Sequence, residues 1–284
     1  MDESINSLSE VSGTMLITLY SRARETQSLN PIIQDPKAVE IINLFKKELA
    51  GSSNPIHQKI VNDTYNPKLA VTMALRSRCF DRYVLDFLER HPDGTVINFG
   101  CGLDTRFDRI DNGNVKWFDI DFASVIALRR RFMAENERRH FIACSILDEA
   151  WTEQVKTGGP YLILAEGVFM YLTETDVKKL LSMVKVKLGP FELVCEVSNL
   201  YWVNKMNTPY MQRKFKRQLG MESGALFSFG IPDSHYFESW APDYKLLDDW
   251  TYFDDREKKL GWFNLFSKID VIRRVQWTIH YQIG

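Results

Sequence analysis

Two glycines one residue apart, Gly100 and Gly102, close an apolar run (Val96, Ile97, Phe99) that suits a β-strand. A turn of this kind lets backbone approach a ligand with no Cβ in the way. A second apolar and aromatic run, Val115-Lys116-Trp117-Phe118, ends in Asp119 and Asp121. Its distance from the first glycine suits a carboxylate that meets ribose hydroxyls at the tip of the next strand. The two acids share one side of an extended strand, so each is a candidate, and either could also be a solvated strand end or a helix cap. Glu166 is the third acid with a chemical reading. It stands between Tyr-Leu-Ile-Leu-Ala and Gly-Val-Phe-Met-Tyr, where a carboxylate is costly to bury unless a cation meets it. That cation is a ligand's ammonium or an arginine of the fold.

The residues around the glycines narrow the ligand. A dinucleotide fingerprint asks for a third glycine where this chain has Thr105, and a pyrophosphate favours a neutral or basic turn where this one carries Asp104. The P-loop pattern is absent as well. Adenosyl-methionine has no phosphate and needs an anion for its ribose, an acceptor for its ammonium and a cation for its carboxylate. It fits this set, and an NAD-dependent oxidoreductase does not.

Three ordered blocks, Val96-Ile-Asn-Phe-Gly-Cys-Gly-Leu-Asp-Thr-Arg106, Trp117-Phe-Asp-Ile-Asp121 and Leu164-Ala-Glu-Gly-Val-Phe-Met-Tyr-Leu172, resemble the leucine carboxyl methyltransferase family. That family also contains polyketide O-methyltransferases of the tetracenomycin type. The resemblance covers roughly residues 10 to 200, and the last third matches loosely. It implies an α/β fold of the class I, Rossmann-like methyltransferase kind. This is a doubly wound, mostly parallel seven-stranded sheet with an antiparallel last strand, a helical N-terminal cap and a lid insertion.

For the site, the resemblance implies S-adenosyl-L-methionine held by Gly100 and Gly102, by Asp121 rather than Asp119 at the ribose, and by Glu166 at the ammonium. Arg76, in Leu75-Arg-Ser-Arg-Cys-Phe-Asp81, would take the carboxylate, as suits a guanidinium. Arg78 and Arg82 read as solvated neighbours. The family's Asp-Leu pair beside adenine reads Ser145-Ile146 here, inside Cys144-Ser-Ile-Leu-Asp148, which leaves Asp148 as an alternative acceptor. The implied reaction is direct in-line transfer of a methyl group to a carboxylate or hydroxyl of a small, polyketide-like molecule. The form Gly-x-Gly-Leu-Asp-Thr-Arg, with Arg106, is closer to that small-molecule branch. A protein C-terminal leucine carboxyl methyltransferase and a non-catalytic adenosyl-methionine-binding scaffold or sensor are the alternatives. No catalytic residue is assigned, although Tyr171, His235 and Tyr236 are candidates to touch the acceptor.

These residues need a scaffold, and periodicity supplies one. Residues 10–29, 36–50 and 69–90 predict helices. Strands over 95–99, 115–119, 139–143, 161–165 and 192–198 alternate with helices over 122–138 and 174–187, which predicts a parallel sheet covered on both faces. Asp248–Phe253, a helix over 254–266 and a strand over 270–282 close it. The expected organisation is a single domain, 1–284. Residues 1–92 form the cap, 93–200 the cofactor-binding core, 201–245 the lid and substrate insertion, and 246–284 the sheet-closing part.

Composition excludes other classes. A net charge of −1 over 284 residues gives no nucleic-acid surface. The four cysteines lie far apart with no C-x-x-C pair, and the five histidines show no metal spacing, so reduced thiols and no metal site are expected. Asp2 and Glu3 argue against a signal peptide. The most apolar run, Tyr161 to Leu172, is broken by Glu166 and is too short for a bilayer. A cytoplasmic protein without membrane partner is expected, its oligomeric state undetermined. Arg129-Arg130-Arg131 reads as a solvated helix face, with a phosphate contact as the alternative. The five basic residues among 201–219 read as an exposed lid helix or an anionic-substrate site.

Overall fold

The computed structural model describes residues 10–208 and 227–284, with side chains from Thr14 onward. Seven strands form one sheet: β1 (Thr95–Phe99), β2 (Lys116–Asp121), β3 (Arg139–Ala143), β4 (Tyr161–Ala165), β5 (Phe191–Ser198), β6 (Tyr244–Trp250) and β7 (Gln276–Ile283). Their order is β3-β2-β1-β4-β5-β7-β6. β1 to β5 run parallel, and β7 lies antiparallel between β5 and β6. This is the expected doubly wound, class I arrangement with its antiparallel last strand. The order reverses between β1 and β4, where the carboxyl ends of neighbouring strands part and leave a crevice. Every residue of β1 and of β4 is buried, which is why these strands read as unbroken apolar runs rather than alternating ones.

The N-terminal helices are α1 (Glu10–Thr26), α2 (Pro36–Leu49), α3 (Pro55–Val61) and α4 (Pro67–Arg90). The last three start the same way. Asp35, Asn54 and Asn66 each accept a hydrogen bond from an N–H of the first turn, with proline at the next position. Then come α5 (Arg106–Ile110), α6 (Ala123–Arg130), α7 (Trp151–Gln154), α8 (Glu174–Leu188) and α9 (Leu200–Met206). A capping box of Thr173 and Asp176 opens α8. One face of the sheet packs on Trp151, Val177, Leu181 and Val184 of α7 and α8. The other packs on Phe80, Val84 and Phe87 of α4 and Phe107 of α5. A third cluster joins Leu16, Leu19 and Tyr20 of α1 and Phe45 of α2 to Cys101, Leu103 and Ile126. It seats the cap directly on the glycine turn.

Four stretches depart from the sequence pattern. The helix expected over 122–138 stops at Arg130. Beyond it Glu135 accepts from the Phe141 N–H (2.7 Å) and Asn136 from those of Arg138 and Arg139, which turns the chain into β3. The helix expected over 254–266 is a run of 3-10 turns, Lys258–Lys268, broken at Gly261, where φ is 58° and ψ −130°. The strand expected over 270–282 begins at Gln276, after one helical turn at Asp270–Arg273. The sheet-closing stretch expected at Asp248–Phe253 belongs to a strand that starts earlier, at Tyr244, inside the expected insertion, and ends at Trp250 where Asp254 accepts from the Thr251 N–H (2.6 Å). Of that insertion, α9 and a 3-10 turn at Tyr236–Ser239 are described, and residues 209–226, which hold most of the basic cluster, lie outside the described residues. No described helix is long and apolar enough to cross a membrane.

At the amino end of the sheet Glu192 of β5 accepts from Arg90 (2.6 Å) and pairs with His280 of β7 (2.8 Å). Burial raises its pKa, but His280 and Arg90 outweigh that and hold it at about 2, against an ordinary 4.5. A depressed carboxyl contributes stability that is complete above the ordinary value and lost as pH falls through the folded one. Melting temperature should therefore fall between pH 4.5 and 2, and more shallowly for Glu192→Gln. Parallel slopes for the two proteins in thermal melts would remove Glu192 from the account.

Candidate functional site

The chain leaves β1 through Gly100 and Gly102, both at positive φ (58° and 47°). A Cβ on Gly100 would sit 2.6 Å from Val168 Cγ2, and one on Gly102 3.2 Å from Met15 Cβ. Conformation calls for glycine at both positions, and at Gly100 the lack of space does as well. Asp121, at the end of β2, accepts from the Gly102 N–H through Oδ2 and from the Phe122 N–H through Oδ1, each at 2.8 Å. Burial pushes its carboxyl up and these bonds pull it back only in part. Each oxygen keeps a lone pair for a further donor.

Asp119 has a different place. It is fully buried and accepts from Asn98 (3.0 Å), Trp117 Nε1 (2.9 Å), Arg129 (2.7 Å) and Arg139 (3.4 Å). Its partner Arg129 also donates to the Gly102 carbonyl (3.0 Å). The reading of Arg129–Arg131 as one solvated face is therefore corrected. Arg129 is buried beneath the glycine turn, while Arg130 and Arg131 pair with Glu135 and Glu48 at the surface.

Glu166, just past β4, receives Arg76 Nε on Oε1 (2.8 Å) and Arg106 Nη2 on Oε2 (2.6 Å). The arginine partner weighed from sequence is thus present, in duplicate. Burial raises this carboxyl, yet Arg106 and Arg76 more than offset it and the net shift is downward. Arg76 also donates from Nη1 to Glu196 Oε2 (2.8 Å), whose other oxygen accepts from Tyr252 (2.8 Å). Arg106 has no exposed side-chain surface and donates to Asp81 (2.6 Å), Asp104 (2.5 Å) and Glu166. Arg109 bonds Asp81 (2.9 Å) and Asp35 (2.8 Å), and Asp35 bonds Arg22 of α1 (2.9 Å). One chain of buried ion pairs thus runs from α1 to β5. Arg78 and Arg82 stay near the surface beside Asp255, as expected.

Above this chain lies a cavity of about 560 Å³, inside the ~300–1,000 Å³ range of small-molecule sites. Arg76, Gly100, Gly102, Asp121, Ser145, Ile146 and Glu166 all line it. At one end Ser145 accepts from the Leu147 N–H (3.2 Å) beside Ile146. Asp148 instead caps the Ala150 N–H (3.0 Å), outside the lining. At the other end stand Met73, Met170, Tyr171, Phe227 and Gln276, and α1 contributes Thr14, Met15, Ile17 and Thr18. Burial raises the Tyr171 phenol, and its ring meets Phe227 edge-on at 5.7 Å. His235 and Tyr236 do not line the cavity. Phe237 between them and the sheet is fully buried, which turns His235 to Glu238 (2.8 Å) and Tyr236 to Glu174 (3.1 Å). Sequence reasoning used Asp104 only as an argument against a pyrophosphate, and it missed Glu196 and the structural part of Arg106. Asp104 adjoins the glycine pair, a signal that could have marked it, whereas Glu196 and Tyr252 carry none.

A family model described as leucine carboxyl methyltransferase matches residues 15–185. A tetracenomycin polyketide synthesis O-methyltransferase from Streptomyces glaucescens is 30% identical, over 89% of this chain and 87% of that protein. An S-adenosyl-L-methionine-dependent methyltransferase from Gibberella zeae is 31% identical over 65% of this chain and 63% of its own length. Among solved structures, a candidate methyltransferase from Thermobifida fusca superposes with a TM-score of 0.52, covering 86% of this chain and 94% of that one at 13% identity. That likeness concerns the fold alone.

Removing one partner of a buried pair leaves the others uncompensated, at a cost of about 3–5 kcal/mol. Arg106→Met takes a donor from three buried carboxylates, of which Asp81 keeps Arg109 and Glu166 keeps Arg76, and should lower unfolding free energy by about that range in urea titration. Arg131→Met, which removes a half-exposed pair, should cost under about 1 kcal/mol. Similar losses for both would mean that burial of the Arg106 cluster is not what makes it costly to break.

Proposed function

The chain belongs to the leucine carboxyl methyltransferase family, and on that premise we propose that it is an S-adenosyl-L-methionine-dependent O-methyltransferase acting on a carboxylate or hydroxyl of a small molecule. One observation carries the reading. A glycine turn, a ribose-suited carboxylate, a second acid and an arginine come from separate stretches of the sequence and line one cavity. The O-methyltransferase name and length match of the Streptomyces relative support the acceptor class.

The residues present fit this cofactor. The Cβ-free turn at Gly100 and Gly102 leaves room for backbone approach, and Asp121 keeps lone pairs for ribose hydroxyls. Ser145 offers a hydroxyl and Ile146 an apolar surface to adenine. Glu166, with Asp104 beside it in the lining, suits an ammonium, and Arg76 suits a carboxylate. When bound, the cofactor supplies an electrophilic sulfonium methyl group. What the chain contributes is alignment, worth roughly 7–11 kcal/mol of barrier when two reactants are held in line. Met73, Met170, Phe227 and Tyr171 shape an apolar acceptor end that limits water, and Gln276 adds an amide there. An ionised carboxylate acceptor needs no base. A hydroxyl acceptor gains from one, by ~10²–10⁴-fold in general, and Tyr171 is the lining group nearest to that task. The free thiols at Cys79, Cys101, Cys144 and Cys195 agree with a reducing, cytoplasmic setting.

Calorimetric titration should show adenosyl-homocysteine binding and no heat with NAD, and a screen of labelled adenosyl-methionine over small aromatic acids and phenols should yield a methyl ester or ether. Asp121→Ala should fold and lose about 1.5–3 kcal/mol of adenosyl-homocysteine affinity, the scale of hydrogen bonds to a charged group. Asp119→Ala should instead lose stability, because four donors are left without their acceptor. The reverse pattern would move the ribose to Asp119 and overturn the register. Glu166→Gln should weaken adenosyl-homocysteine on the same scale, and unchanged affinity in the folded variant would end its role at the ammonium.

A further inference from the structure

Arg76 is held on two edges. Nε donates to Glu166 beyond β4 and Nη1 to Glu196 on β5, each at 2.8 Å. Nη2 has no protein acceptor among the described residues, on a side chain that lines the cavity. Two carboxylates on neighbouring strands fix the plane of the guanidinium, and with either one gone it could swivel about the bond that remains. Glu196 is completely buried and is itself held by the Tyr252 hydroxyl at 2.8 Å. Tyr252 lies just past β6 with its ring against Trp250 (centroids 5.2 Å apart). Besides Gln276 of β7, which lines the cavity itself, the antiparallel edge of the sheet therefore reaches it through the line Tyr252 to Glu196 to Arg76.

We propose that Glu196 and Tyr252 are positioning residues that hold the free edge of Arg76 toward the amino-acid end of the bound cofactor. The inference rests on the function proposed above, and it concerns residues that no sequence block singled out. Neither residue lines the cavity, so each acts only through the arginine.

Two ligands separate positioning from general upkeep of the fold. Adenosyl-homocysteine carries the amino-acid portion, and 5′-methylthioadenosine has the same nucleoside and thioether without it. By calorimetry, Glu196→Gln should weaken adenosyl-homocysteine about tenfold or more, the scale of a hydrogen bond to a charged group, and Tyr252→Phe about threefold, less because Tyr252 is one bond further from the arginine. Methylthioadenosine should bind both variants within about twofold of the unaltered protein. In an Arg76→Met background Glu196→Gln should add no further loss, because the two act as one unit. Should Glu196→Gln fail to fold, Tyr252→Phe carries the same comparison. Equal weakening of both ligands would reduce Glu196 to a structural residue and overturn the proposal, as would no weakening of either. If the unaltered protein binds methylthioadenosine and adenosyl-homocysteine equally, Arg76 does not read the carboxylate and the proposal also falls. If it binds neither, the functional reading itself fails.

Discussion

A guanidinium without contact to water organises the carboxyl ends of the central strands. Arg106 stands among Asp81, Asp104 and Glu166, and through them it is linked to Arg109, Asp35, Arg22, Arg76 and Glu196. Burying so many charges is not a route to stability. Desolvation cancels much of the attraction, and a well-packed apolar substitute is often as stable. What the arrangement yields is position. Each arginine has a fixed fork of donors, so each bond sets a direction as well as a distance. Asp35 shows how far this extends, for it caps α2 through Oδ1 while Oδ2 receives Arg22, Arg109 and Thr105. The first helix, the start of the second and the floor of the cavity are thus one mechanical unit.

The same chain sets the sign of the field above it. With all groups ionised, Arg22, Arg76, Arg106 and Arg109 face Asp35, Asp81, Asp104, Glu166 and Glu196. One carboxylate is in excess, and Asp121 adds another nearby. Adenosyl-methionine at neutral pH carries one net positive charge, from a sulfonium, an ammonium and a carboxylate. A preorganised field of opposite sign acts on such a ligand without reorganising at the moment of binding.

Much of this was legible before any coordinates. Gly100 and Gly102 announce a turn through their type, Asp119 and Asp121 stand out at the end of an apolar run with the family resemblance choosing Asp121, and a parallel sheet follows from alternation of helix and strand. The ion-pair chain was not legible. Arg76 and Glu196 are 120 residues apart in sequence, and neither has a local pattern that names the other. Arg129 was misjudged because a run of three arginines looks solvated. Only the packing of α6 against β2 and β3 separates the one that meets Asp119 from the two that meet water. The closing part of the sheet was blurred for a different reason. A helix-like period over 254–266 is interrupted by Gly261, and a glycine's backbone freedom leaves no trace in hydrophobic spacing.

The two ends of the cavity are made of unlike material. Salt links and backbone N–H groups fix Arg76, Asp104, Asp121 and Glu166, whereas Met73 and Met170 with Phe227 make up much of the remainder. Thioether side chains are unbranched, polarizable and tolerant of exchange, and swaps of similar volume among apolar residues generally cost little. A lineage can therefore try new side chains at these positions while the charged floor stays untouched. The charged lining and the thioether lining come from different residues of one cavity, so the second can change while the first stays fixed.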